Sequence, residues 1–469
     1  MSWLASACTV GPDYVKPAAP KSDRWRQQIE GRLSSDAPDL ARWWDAFGDP
    51  TLVALVESVE RENRSLRAAM HRISAARATA AGVDAELFPR LGASGRLEWF
   101  RNSGNGQLGQ FPGAGPDDEE LARIGLEASW EIDVFGRIRR ASEAAAADLE
   151  ATIEDWHDLL VVLRAEVALA YVDHRSLQER LAIARANAEL QTRTLDLARG
   201  RFETGLAPEL DVAQAQQNLA STEAVIPTLE QAVRATSNRI AVLLGVPPLA
   251  AERLVETAAP VPALPQQLEV GVPAELLRRR PDLRAAERRV AADIARVGVA
   301  TAELYPSFSL TGFLGYESLT FDETLTARSR TYTAGPSFRW RLFEFGRIRA
   351  EIDAREAIAD ASLADYEQAV LNAMAEVEDT LTGVVAEERR LRSLDAALDA
   401  SRRAAELVRT LYLEGLTDFQ NVLDAERTLR TVEDQQAVSR ADLARLAIRL
   451  YRVLGGGVPQ RRDATEERP

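Results

Sequence analysis

The residues that could do covalent chemistry are few and scattered. The chain has one cysteine, Cys8, and three histidines, His71, His157 and His174, that stand far apart in sequence. No HExxH, CxxC or GxSxG spacing occurs, which removes the usual zinc, thiol-redox and serine-nucleophile arrangements. One formal GxGxxG runs over Gly104-Asn105-Gly106-Gln107-Leu108-Gly109. A phosphate site needs a helix N-terminus directly after such glycines, and here Phe111-Pro112-Gly113 follows instead. Gln420, Asp424 and Arg427 fall at i, i+4 and i+7 of a helical stretch and share one face. By themselves they read as a solvated face on which Asp424 and Arg427 pair along the helix. The expectation is a protein with no catalytic residue, no metal site and no cofactor. Its net charge of −15, with only short basic runs such as Arg278-Arg279-Arg280, argues against nucleic acid as a partner.

What the chain does have is a duplication. Phe135-Gly136-Arg137-Ile138-Arg139 recurs as Phe345-Gly346-Arg347-Ile348-Arg349, and Gly205-Leu206 recurs as Gly415-Leu416, both at an offset of 210. Upstream, Leu66-Arg67-Ala68-Ala69 recurs as Leu283-Arg284-Ala285-Ala286, and Phe88-Pro89 as Tyr305-Pro306, at an offset of 217. The change of seven falls in one loop. Copies that keep their length everywhere else point to stacked elements of fixed size. The expected organisation is an N-terminal arm over 1–50, repeat 1 over 51–248, a connector over 249–272, repeat 2 over 273–457 and a disordered tail over 458–469. The connector region is rich in proline, at 247, 248, 260, 262, 265 and 273.

Within each repeat the hydrophobic period changes from helical to alternating. Leu91, Ala93, Gly95, Leu97 and Trp99 alternate with Gly92, Ser94, Arg96 and Glu98. The pattern returns at +217 as Phe308, Leu310, Gly312, Leu314 and Tyr316. A second pair, Ala122–Ile132 and Tyr332–Leu342, alternates in the same way at an offset of 210. Four strands of about ten residues, apolar on one face and polar on the other, match the transmembrane β-barrel pattern. The aromatics Trp99, Trp130, Tyr316 and Trp340 sit near strand ends, where a girdle belongs. On alternation alone, a soluble antiparallel sheet with one face on a core fits equally well. Pro336 lies inside the fourth strand, which suits an edge or a seam.

Each strand pair is followed by a proline-free helical stretch, Arg137–Thr204 and Arg347–Glu414. At 1.5 Å per residue such a helix spans roughly 100 Å, too long for one globular domain. The stripes Leu181, Ala184, Ala188, Gln191, Leu195, Ala198, Phe202 and Leu391, Leu394, Leu398, Ser401, Ala405, Val408, Tyr412 both step 3-4-3-4, the spacing of coiled coils. Gly205-Leu206 and Gly415-Leu416 supply the left-handed glycine that ends a helix. Return helices then run to about Leu244 and Leu454, with Pro227 bending the first and a Thr417-x-x-Gln420 capping box opening the second.

No stretch approaches the ~20 apolar residues of a membrane-spanning helix. If the four strands are membranous they cannot close alone, because single-chain barrels begin at about eight strands, and an open edge in lipid is not viable. Several chains must then share one barrel, three giving twelve strands and four giving sixteen. The alternative is a soluble or surface trimeric coiled-coil stalk, such as an adhesin.

Several motifs resemble one family. They are Cys8-Thr9-Val10-Gly11-Pro12-Asp13-Tyr14, Trp43-Trp44-Asp45-Ala46-Phe47-Gly48-Asp49-Pro50 and Ser129-Trp130-Glu131-Ile132-Asp133-Val134-Phe135-Gly136-Arg137. The run from Gly271 to Glu287 and the ending Leu454-Gly455-Gly456-Gly457 belong with them. Over nearly its whole length the chain resembles the outer membrane factors of tripartite efflux and secretion systems, in the lipoprotein, nodulation-type branch. The resemblance implies a mostly α fold with a membrane β part. Long coiled-coil hairpins would form an α-barrel tunnel, and four strands per chain would join a shared twelve-stranded β-barrel in a homotrimer. It implies passive conduction of drugs or other small solutes, energised by an inner-membrane transporter and joined to it through a periplasmic adaptor protein. The chain would lie in the bacterial outer membrane, lipid-anchored through Cys8. Met1–Ala7 would then be the remnant of a leader, with Ala5 where the family has leucine. By position, Gln420, Asp424 and Arg427 would form the periplasmic gate, and the tips Gly205, Leu206, Gly415 and Leu416 the adaptor docking points. Gln214 and Gln217 stand at the matching sites of the first copy, so the gate would differ between copies.

Overall fold

The computed structural model describes residues 9–18, 25–27, 32–34, 40–101, 103, 105, 118–271 and 279–458. Cys8, most of the GxGxxG stretch, residues 272–278 and the tail from 459 lie outside the described residues. The first repeat holds α1 (Pro50–Glu62), α2 (Arg64–Asp84), β2 (Arg90–Arg101), β3 (Asp118–Ile132), α3 (Arg137–Glu203), α4 (Glu209–Glu223) and α5 (Val225–Leu244). The second holds α7 (Pro281–Ala302), β5 (Ser307–Ser318), β6 (Arg330–Arg339), α8 (Arg347–Leu413) and α9 (Phe419–Val453). A short strand β1 (Leu33–Ser34) precedes them, and α6 (Pro248–Val255) and β4 (Leu268–Glu269) lie between. The chain divides into two compact units, and no helix among the described residues is long and apolar enough to cross a membrane.

One unit comprises residues 9–17, 71–153 and 285–367. Its centre is a four-stranded antiparallel sheet in the order β2-β3-β5-β6. The register places Ala93 beside Leu126, Leu126 beside Leu314 and Leu314 beside Tyr332. The apolar rows of all four strands therefore lie on one face. The other face carries serine, threonine and charged residues, interrupted by Phe313 and, toward the loop end, by Phe100 and Leu121. Gly125 and Gly315 make room for Phe313. A Cβ at Gly125 would stand 2.6 Å from the Phe313 ring, so the ring lies flat over two glycines. The Arg123 guanidinium caps it at 3.9 Å. Phe313 is consequently buried on a mostly polar face.

The junction from β3 to α3 is built by its own sequence. Asp133 accepts from the Ile138 and Arg139 backbone N–H groups at 3.2 and 3.0 Å, capping the helix start. Arg137 pairs with Glu131 at 2.9 Å. In the second copy these positions are Phe343 and Arg341, so the device is absent there. The N-terminal segment, aperiodic in sequence, docks against α3 and α7. Val10 N–H donates to Phe135 O at 3.2 Å, Tyr14 Oη to Glu287 at 2.9 Å, and the buried Arg140 to Asp13 at 2.6 Å and to Val10 O at 3.1 Å. Gly11, at φ +88, passes so close to Gly298 that a Cβ on it would stand 2.4 Å from the Gly298 Cα, while a Cβ on Gly298 would meet the Arg140 side chain at 2.9 Å.

The second unit comprises residues 18–70, 154–284 and 368–458. Its long helices stop one residue short of the expected ends, and every stripe residue is buried or half-buried except Phe202. Both reversals use the same cap. Gly205 and Gly415 share φ +74. Leu206 N–H reaches Arg201 O at 2.8 Å, and Leu416 N–H reaches Leu411 O at 2.8 Å. Pro227 does more than bend its helix: the helix breaks at Ala224 into α4 and α5. A proline cannot donate to the carbonyl four residues back. The expected capping box does not form. Asp418, not Thr417, takes the N-cap position of α9, and its side chain makes no capping bond, while the Thr417 hydroxyl accepts from Asn421 at 2.8 Å. At the opposite end of α9, Trp43 stacks on Tyr451 at 5.4 Å. A Cβ at Gly456 would meet Trp43 at 2.9 Å, which accounts for glycine there.

Candidate functional site

Three surfaces of the chain bear on function: the sheet, the hairpin tips and the face of α9 near its tip.

The sheet presents its apolar face to the outside of the chain, with Leu91, Leu97, Ile124, Leu126, Leu310 and Leu314 all exposed. A contiguous apolar row of this kind marks a protein or membrane contact. The aromatic residues bracket it. Trp99 and Tyr316 lie toward the loop end of their strands, Trp130 and Trp340 toward the helix end. The Trp130 indole donates to Leu87 O at 2.9 Å and the Trp340 indole to Leu304 O at 3.0 Å, so each has a polar anchor and an apolar body, as at a membrane boundary. Both outer strands, β2 and β6, have one unpaired edge among the described residues.

At the tips, Leu206 and Leu416 are exposed, with Phe202, Leu210, Leu411 and Leu413 around them. The two tips are tied to each other within the chain. Arg201 lies 4.7 Å over the Tyr412 ring and donates to Tyr412 O at 3.2 Å and Leu413 O at 3.3 Å. Tyr412 Oη approaches Asp211 Oδ2 at 3.5 Å, the outer limit of a hydrogen bond. Burial raises the Asp211 carboxyl above its usual range, with the Tyr412 contact acting against it. Beneath lies a small apolar cluster of Leu195, Ala198, Ala215, Phe419, Val422 and Leu423. Glu426 is buried beside it, with Thr194 Oγ1 at 2.8 Å as its partner, and burial holds its carboxyl above the usual carboxylate range. Sequence periodicity did not single out Arg201, Asp211 or Glu426. Tyr412 appeared only as a stripe residue.

Gln420, Asp424 and Arg427 are all exposed on one face of α9. Gln420 donates to Asp424 Oδ1 at 3.2 Å. The Asp424–Arg427 pair along the helix does not form, and the Arg427 side chain has no partner among the described residues. Asp424 is thus engaged only by Gln420, and the Arg427 guanidinium has no partner among the described residues.

Nothing in this geometry resembles a reaction centre, and no group of three or more potential metal ligands occurs among the described residues. A sheet with a lipid-suited face, in a chain whose two outgoing helices of 67 residues contain no proline, is the pattern of an outer-membrane channel subunit. The comparisons agree. The family profile described as outer membrane efflux protein matches residues 55–246 and 272–456, and the chain belongs to that family. It is 32% identical to the pyoverdine export outer membrane protein OpmQ of Pseudomonas aeruginosa, over 97% of this chain and 95% of that one. It is 30% identical to nodulation protein T of Rhizobium leguminosarum bv. trifolii, over 97% and 96%. Among solved structures, the outer-membrane channel OprN superposes with a TM-score of 0.89 at 39% identity, covering 96% of this chain and 99% of that one. The protein is therefore an outer membrane channel for efflux, and the stalk or adhesin alternative falls.

Proposed function

We propose that three copies of this chain form one conduit, a twelve-stranded barrel in the outer membrane continued by a twelve-helix periplasmic tunnel. The carrying observation is the sheet: four strands, one apolar face and two edges unpaired among the described residues. In hydrocarbon each unpaired backbone group costs several kcal/mol, so the edges must meet those of other copies. The conduit carries drugs or other small solutes passively, and energy enters from an inner-membrane transporter through a periplasmic adaptor protein. The exposed leucines around Gly205-Leu206 and Gly415-Leu416 supply the adaptor's docking surface. The repeats, 51–248 and 273–457, are the units that stack around the tunnel.

The gate is assigned to Gln420, Asp424 and Arg427. Three-fold symmetry would bring three copies of each toward the axis, where an aspartate ring favours cations and arginine ties neighbouring helices through carboxylates. The exposed Arg427 guanidinium, without a partner among the described residues, supports this reading. The lipid anchor is assigned to Cys8. Thr9 packs against Gly136, and Val10 bonds to Phe135 at the base of the sheet, so acyl chains on Cys8 would enter the leaflet beside the barrel.

The test is purification and electrophysiology. The protein should need detergent, run at the mass of a trimer and conduct ions in planar bilayers. A monodisperse monomer, stable without detergent, would overturn the shared barrel.

A further inference from the structure

Directly behind the gate face, α9 carries an acid that no stripe marks in the sequence. Glu426 stands between Asp424 and Arg427 but turns inward, and it is 8% exposed. Its Oε1 accepts from the Thr194 hydroxyl of α3 at 2.8 Å. Its Oε2 is buried and has no hydrogen-bond partner among the described residues. Gln191 lies three residues before Thr194, on the same face of α3, and is 3% exposed. Its Oε1 is likewise buried and without a partner among the described residues. Asn218 of α4 belongs to the same layer, because Arg430, one turn beyond Glu426, donates to Thr222, one turn beyond Asn218, at 2.6 Å. Leu195, Ala215, Val422 and Leu423 pack the three helices together beside it.

Two unfilled acceptors in one buried contact are in chemical conflict. A carboxylate oxygen and an amide oxygen both accept and neither donates, and each unfilled buried acceptor costs stability. One proton removes the conflict, because a carboxylic acid has an O–H to give. We infer that Glu426 is a positioning residue for the gate: protonated, its Oε2–H donates to Gln191 Oε1 and ties α9 to α3, and ionised, it lets the gate face of α9 move. This rests on the gate reading above. The repeat confines the device to the gate copy. The position equivalent to Glu426 is Gln216, which is exposed, and those equivalent to Gln191 and Thr194 are Ser401 and Ala404.

The electrostatics agree with the geometry. Burial holds the Glu426 carboxyl above its usual range, against the Thr194 hydrogen bond and the charge of Arg409 on α8. The other charged groups have partners or face away. Arg430 is held by Thr222 of α4. On α3, Arg193 pairs with Glu189 at 2.7 Å, and both are exposed. Asp211 of α4, Arg201 of α3 and Tyr412 of α8 are engaged in the tip tie. Asp424 and Arg427 of α9 turn outward. The folded chain therefore holds the Glu426 proton more tightly than the unfolded chain does. The tie is firm at low pH and weakens as pH rises through the Glu426 value.

The test is resting single-channel conductance of the full assembly in planar bilayers, from about pH 4 to about pH 9, a span that covers raised carboxyl values. In the wild type it should rise several-fold toward high pH. Glu426→Gln keeps the size and supplies a donor that cannot ionise, so conductance should stay at the wild type's low-pH level throughout. Gln191→Leu removes the acceptor, so conductance should be raised already at low pH. A wild-type conductance that does not change with pH overturns the proposal without any variant. A Glu426→Gln profile that follows the wild type assigns the titration to another group and overturns it too. The Asp424→Ala, Arg427→Ala double variant separates this proposal from the gate reading. If that variant conducts as the wild type does while Glu426→Gln is flat and low, the tie stands and the gate lies elsewhere on α9. If it changes conductance while Glu426→Gln follows the wild type, the gate stands and the tie falls.

Discussion

Replacing Asp158 by asparagine should stabilise the protein above pH 6 and leave it unchanged near pH 4. Asp158 lies half-buried on α3, and its side chain makes no hydrogen bond among the described residues. The nearby cation is already occupied. Arg280 holds both oxygens of Asp282, at 3.0 and 2.7 Å, and reaches Glu376 at 2.7 Å and Val453 O at 3.3 Å. Burial, and next the charge of Asp282, push the Asp158 carboxyl up to about 6, with Arg280 opposing. The folded chain therefore holds this proton more tightly than the unfolded chain does. Below the ordinary value of 3.8 both states are protonated and the site costs nothing. Between there and about 6 the unfolded chain ionises first, so stability falls as pH rises. Above that window the full penalty stands. The displacement corresponds to about 3 kcal/mol at 1.36 kcal/mol per unit. Partial solvent contact reduces it to about 2 kcal/mol. For a chain of this length that is a shift of about 2 °C in Tm, at about 2.1 cal/mol/K of unfolding entropy per residue. The assay is thermal unfolding of the detergent-solubilised protein from pH 4 to 8, wild type against D158N. Parallel profiles, or a variant less stable than wild type at pH 8, would refute the reasoning.

Three further outcomes are expected. Gly415→Val should weaken adaptor engagement and raise drug susceptibility at full expression while the trimer assembles, because a branched residue resists φ +74; unchanged susceptibility would count against docking at the tip. Gly11→Ala should release the N-terminal segment from α7, since the added methyl meets the Gly298 backbone; limited proteolysis should then cut before Tyr14 several times faster, with the rest of the chain intact. Asp424→Ala combined with Arg427→Ala should raise resting single-channel conductance, because loss of the arginine ties between copies outweighs loss of carboxylate repulsion, and should lower cation preference. Reversal potential in a salt gradient reports the second effect, and two unchanged readings would move the gate elsewhere on the return helices.

Period and punctuation made most of the architecture readable. The long helices end within a residue of the glycines that cap them, because a left-handed cap is a local requirement that few residues meet. The strands were readable because the same alternation over about ten residues appears twice, at matching places of the repeat, whereas their order in the sheet came from the structure. What stayed hidden has no period. Phe313 breaks the polar alternation of β5, and its reason lies partly on another strand, at Gly125. The docked segment from Thr9 to Tyr14 looks like free chain until Gly298 and Arg140 are seen beneath it. The Thr417 capping box failed because the tip turn delays the helix start by a residue, and local propensity yields to the cap before it.

The tip tie shows the same limit from the functional side. Arg201 and Tyr412 come from equivalent ends of the two repeats, yet their repeat partners are Leu411 and Phe202, which cannot make the same contacts. The duplicated scaffold is symmetric, but the polar groups that join its tips are not. Symmetry is therefore a sound guide to backbone pairing, where every residue supplies the same donor and acceptor, and a poor one to side-chain function. That is why the β5–β6 ladder can be read from the β2–β3 ladder, while Asp424 and Arg427 cannot be read from Gln214 and Gln217. A mutation of the first copy's glutamines should leave conductance unchanged if the gate belongs to the second copy alone, and single-channel recordings of the Gln214→Ala, Gln217→Ala double variant, set against the Asp424 and Arg427 variant, separate the two cases.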